Sequence, residues 1–330
     1  MKKGLKMLLA ASLLFTFAGC SAGKKEESKE KKVTVVLDWF PNTNHTGLYV
    51  AKTKDYYKKQ GLDVEIIQPG ENTSAEQMVA SGKADFGVSY QENVTTARVE
   101  DIPVVSIGAV IQHNTSAFAS LKKDNITSPK AFEGKRYGGW GAPAEEATLK
   151  TIMDKHQADF NKVQKVVLGQ TDFLKSIGRD ADFEWIYYGW DGIEAKRKGI
   201  ELNTIMVKDL NPALDFYSPV MITSEKHAKQ DKDFVKKFMK ATTDGYNFAI
   251  KEPKEAADIL IKNVPDINKE LVQESQKWLS TKYQDDAKAW GVQKEEVWTN
   301  YMNFLYDNKV IKKKIDVKAA FTNEFLPSEK

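Results

Sequence analysis

From Val33 onward, short runs of β-branched and apolar residues alternate with stretches in which apolar positions recur every three or four residues. That rhythm predicts an α/β protein. Residues 33–38 read as a buried strand, 47–60 as a helix stopped by Gly61, and 62–68 as the next strand. Asn72-Thr73-Ser74 offers a helix N-cap, and strands at 85–89 and 104–111 with a helix at 92–99 complete a first set of four strands and three crossovers. A second set follows with apolar segments at 117–121, 135–138, 163–168, 173–177, 185–188 and 202–207, and helices at 143–156 and 192–198. After a strand at 219–223, helices at 231–250, 254–262, 269–280 and 294–307 have no strands of their own to cover.

The economical arrangement has two lobes. The chain leaves lobe one near Asn114, builds lobe two over 114–217, and returns near Tyr217, so that lobe one comprises 33–113 plus 218–330. Two crossing segments then form a hinge, with ligand in the cleft between the lobes. This is the two-lobed periplasmic-binding-protein-like fold, type II.

The first 32 residues follow other rules. Lys2, Lys3 and Lys6 precede an apolar stretch from Met7 to Phe17, about 11 residues against the ~20 needed to span a bilayer. Small residues follow, in Phe17-Ala18-Gly19-Cys20, which predicts a signal peptide over 1–19. Those four residues resemble a bacterial lipobox, with Phe17 where Leu is usual, and the resemblance implies lipidation of Cys20. Residues 21–32 contain only Ser, Ala, Gly, Lys and Glu, the composition of a solvated tether over 20–32. The expected location is the outer face of the cytoplasmic membrane, lipid-anchored.

Composition narrows the classes further. With 41% hydrophobic and 29% charged residues in 330, the chain can bury a sizeable core. Its single cysteine excludes an internal disulfide and any Cys-based zinc or iron–sulfur site. Lys and Arg total 49 against 46 acidic residues; without the three leader lysines the charges balance, which argues against nucleic acid as a partner. The four histidines show no metal-ligand spacing, and no phosphate-binding loop, nucleophile elbow or zinc-protease motif occurs. No metal, no cofactor and no catalytic residue are expected.

Candidate chemistry lies where predicted strands end, the edge at which α/β folds bind ligands. The stretch from Leu37 to Ala51 places Asp38, Trp39, Asn44 and His45 in a loop after the first strand. Tyr90, Trp140, and Tyr188 with Trp190 each follow a later strand, so aromatic faces converge on the cleft, as suits a flat heterocycle. Asp38, Glu145 and Glu194 would accept hydrogen bonds from an exocyclic amine or a protonated ring nitrogen. Asn114, at the first crossing, can serve hinge and ligand alike. Alternation over 185–188 leaves Tyr188 for the ligand, whereas Trp278, Trp290 and Trp298 read as packing residues. The four clusters contain no Arg or Lys, which a sulfonate or nitrate would call for.

Four stretches carry a resemblance: the Leu37–Ala51 cluster, Ala84-Asp85-Phe86-Gly87-Val88-Ser89-Tyr90-Gln91-Glu92, Gly138-Gly139-Trp140-Gly141-Ala142-Pro143-Ala144-Glu145, and Tyr187-Tyr188-Gly189-Trp190-Asp191-Gly192-Ile193-Glu194. Together they resemble the family of thiamine-pyrimidine-precursor binding proteins and yeast-type pyrimidine synthases. With the lipobox, the resemblance implies the transport branch. Its expected ligand is a formylaminopyrimidine-type small molecule, its partners the permease and ATPase of an ABC importer, and its role salvage of degraded thiamin. Two alternatives stay open. The same fold carries alkylsulfonate, nitrate or other aromatic solutes, and the synthase branch is enzymatic. That branch needs a cysteine-rich motif and a lysine for pyridoxal phosphate; Cys20 stands alone, and no lysine lies in the first motif before Lys52.

Overall fold

The computed structural model describes residues 30–70, 73–169 and 171–328. The expected signal peptide and Cys20 lie outside the described residues.

Strand β1 (Lys31–Val36) runs through a 3-10 turn at Thr43–His45 into α1 (Thr46–Thr53) and α2 (Tyr56–Lys59), then β2 (Leu62–Ile67) and α3 (Ala75–Ala80). Next come β3 (Phe86–Ser89), α4 (Gln91–Val99) and β4 (Val104–Ala109). The chain then crosses to β5 (Ser116–Leu121), β6 (Arg136–Gly139), α5 (Pro143–Lys155), β7 (Gln164–Val167), α6 (Phe173–Ser176) and β8 (Phe183–Tyr187). A π-turn at Tyr188–Gly192 leads to α7 (Ile193–Arg197), β9 (Leu202–Met206) and α8 (Val207–Leu210). The return reaches β10 (Val220–Ser224), followed by α9 (Glu225–Gln230), α10 (Lys232–Lys251), α11 (Pro253–Asn263), α12 (Lys269–Leu279), α13 (Glu295–Asp307) and α14 (Val317–Ala320).

Two five-stranded sheets result, ordered β2-β1-β3-β10-β4 and β7-β6-β8-β5-β9. In each, one strand reverses the parallel set: β10 is antiparallel to β3 and β4, and β5 is antiparallel to β8 and β9. Strand β10 is buried along its whole length, which explains its unbroken run Val-Met-Ile-Thr-Ser. The carboxyl ends of β1 and β3 in one sheet and of β6 and β8 in the other face a common cleft.

Three local expectations change. Lys31 and Lys32 belong to β1 rather than to a tether, because β1 pairs with β2 from Lys31 opposite Leu62, and the Lys31 ammonium sits 3.3 Å from the centre of the Phe234 ring. The expected helix over 47–60 breaks at Asp55, whose φ of 59° is left-handed. The apolar segment 173–177 is a helical turn, not a strand: Phe173 and Ile177, four residues apart, enter the same small core beside Ala117, Ala119 and Ile186.

The C-terminal helices brace the first lobe. Helix α10 meets α1 backbone to backbone at Gly245, where a Cβ would stand 2.1 Å from the Gly47 carbonyl oxygen. Only glycine fits that contact. Around it Tyr246 stacks on Trp290 with ring centres 4.3 Å apart, both buried, so Trp290 is a core residue.

A ligand cleft between the two lobes

The loop after β1 is built before any ligand arrives. Asn42 caps the turn at Thr43–His45 by accepting the Asn44 N–H at 2.8 Å, and its own N–H donates to His45 Nδ1 at 3.1 Å. That contact leaves the ring proton on His45 Nε2, which donates to Asp38 Oδ1 at 2.6 Å. The C-terminal segment holds the same loop from behind: Tyr283, in the turn after α12, donates to the Thr43 carbonyl at 2.5 Å, Tyr246 of α10 to the Asn44 carbonyl at 2.7 Å, and the hydroxyls of Thr43 and Ser275 of α12 lie 2.6 Å apart. Asp38 is thereby fixed. Burial alone would raise its carboxyl, but hydrogen bonds from His45 and from Tyr90 outweigh it and hold Asp38 below the usual carboxylate value. His45 is buried and reaches a ligand only through Asp38.

Beside this pair, large apolar groups stay in water. Trp39 is 42% exposed and Phe40 60%, packed edge to face at 6.0 Å. Across the cleft Trp140 is 42% exposed and Val167 73%, at the paired carboxyl ends of β6 and β7. Exposed aromatics on both lobes at strand ends mark a binding surface rather than a core. Trp140 meets Trp185 edge to face at 5.5 Å, and the rings of Tyr90 and Tyr187 stack across the lobes at 6.5 Å and 16°.

Between the loops after β1, β2 and β3 lies a cavity of about 100 Å³ lined by Asp38, Pro69, Glu76, Ser89, Tyr90 and Asn93 among others. Its two carboxylates face no Lys or Arg among those lining it; Ser89 donates to buried Glu76. Burial, with the nearby Asp38 charge, raises the Tyr90 phenol well above its ordinary value, so it stays a donor. A wider surface hollow of about 550 Å³ at Leu121, Lys122 and Gly199 is shallow and lies at the opposite end of β5 from the cleft.

The structure therefore brings Asp38, Trp39, His45 and Tyr90 together, sets half-buried Asn44 in the same loop, and presents Trp140 from the other lobe. Five expected ligand contacts are engaged with other protein groups in this structure. Glu145 is committed to its own loop, accepting Tyr137 Oη at 2.7 Å, Trp140 N at 3.2 Å and Ala142 N at 2.7 Å, as the N3 residue of a helix cap should. Glu194 is ion-paired along α7 with Arg197 and Lys198, both at 3.0 Å; burial would raise its carboxyl, and those two cations bring it below the usual value. Asn114 is engaged at the hinge. It donates to the Leu214 carbonyl at 2.8 Å, accepts from Ser116, and gives its N–H to Asp215, tying one crossing segment to the other. Tyr188 and Trp190 turn toward the first lobe's helices: Tyr188 lies 5.4 Å from Trp278 on α12, and Trp190 packs against the first lobe's core.

Several cleft residues were not among the sequence candidates. Tyr187, not Tyr188, meets Tyr90, because β8 ends at Tyr187 and the π-turn that follows rotates the next side chain away. Glu76 and Ser89 form a pair that no local pattern announces.

A family profile described as NMT1/THI5 like matches residues 42–256, from the capped loop through the second lobe and into α11. The chain belongs to the NMT1/THI5-like family. It is 27% identical over 97% of its length, and 99% of the relative's, to a formylaminopyrimidine-binding protein of Halalkalibacterium halodurans. It is 23% identical to a 4-amino-5-hydroxymethyl-2-methylpyrimidine phosphate synthase of Legionella pneumophila, covering 91% of this chain and 94% of that one. Among solved structures, the periplasmic aliphatic sulphonate binding protein SsuA from Escherichia coli superposes with a TM-score of 0.68 at 12% identity, over 91% of this chain and 94% of that one. This NMT1/THI5-like chain thus has the two-lobed periplasmic-binding-protein fold expected from its sequence.

Proposed function

We propose that this chain is the receptor of an ABC importer and captures a formylaminopyrimidine for salvage into thiamin. In this reading Cys20 carries the lipid that holds the receptor at the outer face of the cytoplasmic membrane, and a permease with its ATPase completes transport. The observation that carries the ligand class is the cavity with Asp38 and Glu76 and, among the described residues lining it, no basic side chain, flanked by exposed aromatic faces. Two like charges about 4 Å apart repel by about 4 kcal/mol at an effective dielectric constant near 20, so an anionic sulfonate or nitrate is disfavoured there. A flat, neutral or basic ring with exocyclic N–H groups gains both stacking and hydrogen bonds. A relative that matches over 97% of this chain is named for such a ligand.

A binding role without catalysis fits the same site. His45 is committed to Asp38 and the Asn42 N–H, and the described residues lining the cavity include no lysine to carry pyridoxal phosphate. The test is a thermal-shift screen of the full chain against formylaminopyrimidine, its deformylated amine, thiamin, taurine and nitrate. Binding to the native state raises stability by RT ln(1 + [L]/Kd), about 2.7 kcal/mol at a hundredfold excess over Kd. Shifts confined to the pyrimidines support the reading, and a shift with taurine or nitrate alone overturns it.

A further inference from the structure

A buried chain of hydroxyls joins the ligand loop of the first lobe to the second lobe. On α12, Ser275, Trp278 and Leu279 are spaced three and four residues apart and share one face, which meets the π-turn at Tyr188–Gly192. Ser275 donates to the Gly189 carbonyl, which commits its one proton to the second lobe. The Thr43 hydroxyl, 2.6 Å from Ser275 Oγ, is therefore the donor in that contact. Thr43 is 1% exposed and Ser275 0%, so both bonds are shielded from solvent. Glycine at 189 lets the turn come this close. A Cβ there would stand 3.0 Å from Trp278 Cζ3 and 3.2 Å from Leu279 Cδ2, inside the ordinary carbon separation of about 3.5–4.0 Å.

Thr43 opens the 3-10 turn that His45 closes, and His45 in turn holds Asp38. The acidic contact of the first lobe is thus attached, through Thr43 and Ser275, to a backbone carbonyl of the second. This tie is separate from the crossings near Asn114 and Tyr217, and it is made by the loop that lines the cavity rather than by the hinge. Resting on the reading given under Proposed function, we propose that Ser275 is a positioning residue that couples the Asp38 loop to the π-turn. A ligand held at Asp38 and Trp39 is retained while Ser275 and Gly189 stay joined and is released when they part.

The test is stopped-flow tryptophan fluorescence of the full chain with formylaminopyrimidine, which separates association from dissociation. Ser275→Ala leaves the Thr43 hydroxyl without its acceptor and the Gly189 carbonyl without its donor, and should speed dissociation roughly tenfold while association stays within about twofold. Thr43→Val removes the donor at the loop end and acts in the same direction. The double variant is no worse than Ser275→Ala alone, because the two hydroxyls work as one chain. Thr242→Val controls for lost stability: it removes a buried hydroxyl 2.9 Å from that of Tyr57, inside the first lobe, and should leave dissociation unchanged. An equal effect in Thr242→Val, or an unchanged dissociation rate in Ser275→Ala, overturns the coupling and leaves the binding function standing. Amide hydrogen exchange of the ligand-free chain reads the coupling without any ligand, and Ser275→Ala should speed exchange in both 42–46 and 188–193. If wild type binds no pyrimidine, the binding function falls and exchange alone decides: faster exchange in both segments upholds the coupling, and a change confined to one or to neither overturns it.

Discussion

Replacing Trp39 by alanine separates binding from folding. The indole is 42% exposed and belongs to no buried cluster; its aromatic neighbour is Phe40, itself mostly in solvent. Truncation therefore opens no cavity, and the stability change should stay within about 0.5 kcal/mol. Stacking of a base-like ring on an aromatic face contributes roughly 1–3 kcal/mol, which corresponds to about a 5- to 150-fold loss of affinity. The control is Trp290→Ala. That residue is 1% exposed, stacks on Tyr246 at 4.3 Å and donates to the Val110 carbonyl at 3.1 Å. Its loss should cost about 3–5 kcal/mol of stability. Calorimetric titration with formylaminopyrimidine and thermal unfolding, run on both variants, give the two numbers. If Trp39→Ala binds within twofold of wild type while folded normally, the exposed indole does not contact ligand and the stacking argument fails.

Three further outcomes follow from the geometry. Asp38→Asn removes the charge that His45 and Tyr90 converge on and should weaken pyrimidine binding by tenfold or more in the same titration, with little loss of fold because the amide keeps the shape. Gly245→Ala places a methyl against the Gly47 carbonyl and should destabilise the chain by about 1–3 kcal/mol in chemical denaturation, without altering affinity in the folded fraction. At the hinge, the hydrogen bond that His113 donates to Asp215 raises His113 above its ordinary value, against a lowering by burial, with Asp286 on the other ring nitrogen adding to the rise. The folded state therefore holds more proton than the unfolded one, so this contribution is complete below the unfolded value near 6.5 and is lost as pH rises through the folded one. His113→Gln should flatten the thermal midpoint against pH in that window.

Most of the scaffold was legible from alternation and punctuation. Strand ends located Asp38, Trp39, Tyr90 and Trp140 because an apolar run stopped and a turn-forming or helix-opening residue followed. Side-chain direction was less legible. A period-two reading puts Tyr187 and Tyr188 on opposite faces and gives Tyr188 to the ligand, but β8 ends at Tyr187 and the π-turn begins at Tyr188. The local partners of two expected acids were announced by spacing: Glu145 follows Pro143 at the third helical position, the spacing of a capping box, and Glu194 has Arg197 and Lys198 three and four residues on, the spacing of helix ion pairs. Glu76 and Ser89 left none, since their contact depends on how α3 lies on β3. Asn114 could be placed at the crossing from the sequence, but its commitment to Leu214, Asp215 and Ser116 follows from the return of the second segment alongside it.

The central claim is that an acidic, aromatic cleft captures a flat basic heterocycle. Tryptophan fluorescence of the full chain, titrated separately with formylaminopyrimidine and with taurine, tests it most directly, because Trp39 and Trp140 are the exposed indoles at the cleft. The account predicts saturable quenching at one pyrimidine per chain, weakened in Trp39→Phe and absent with taurine. Saturable binding of taurine with no response to the pyrimidine would contradict it.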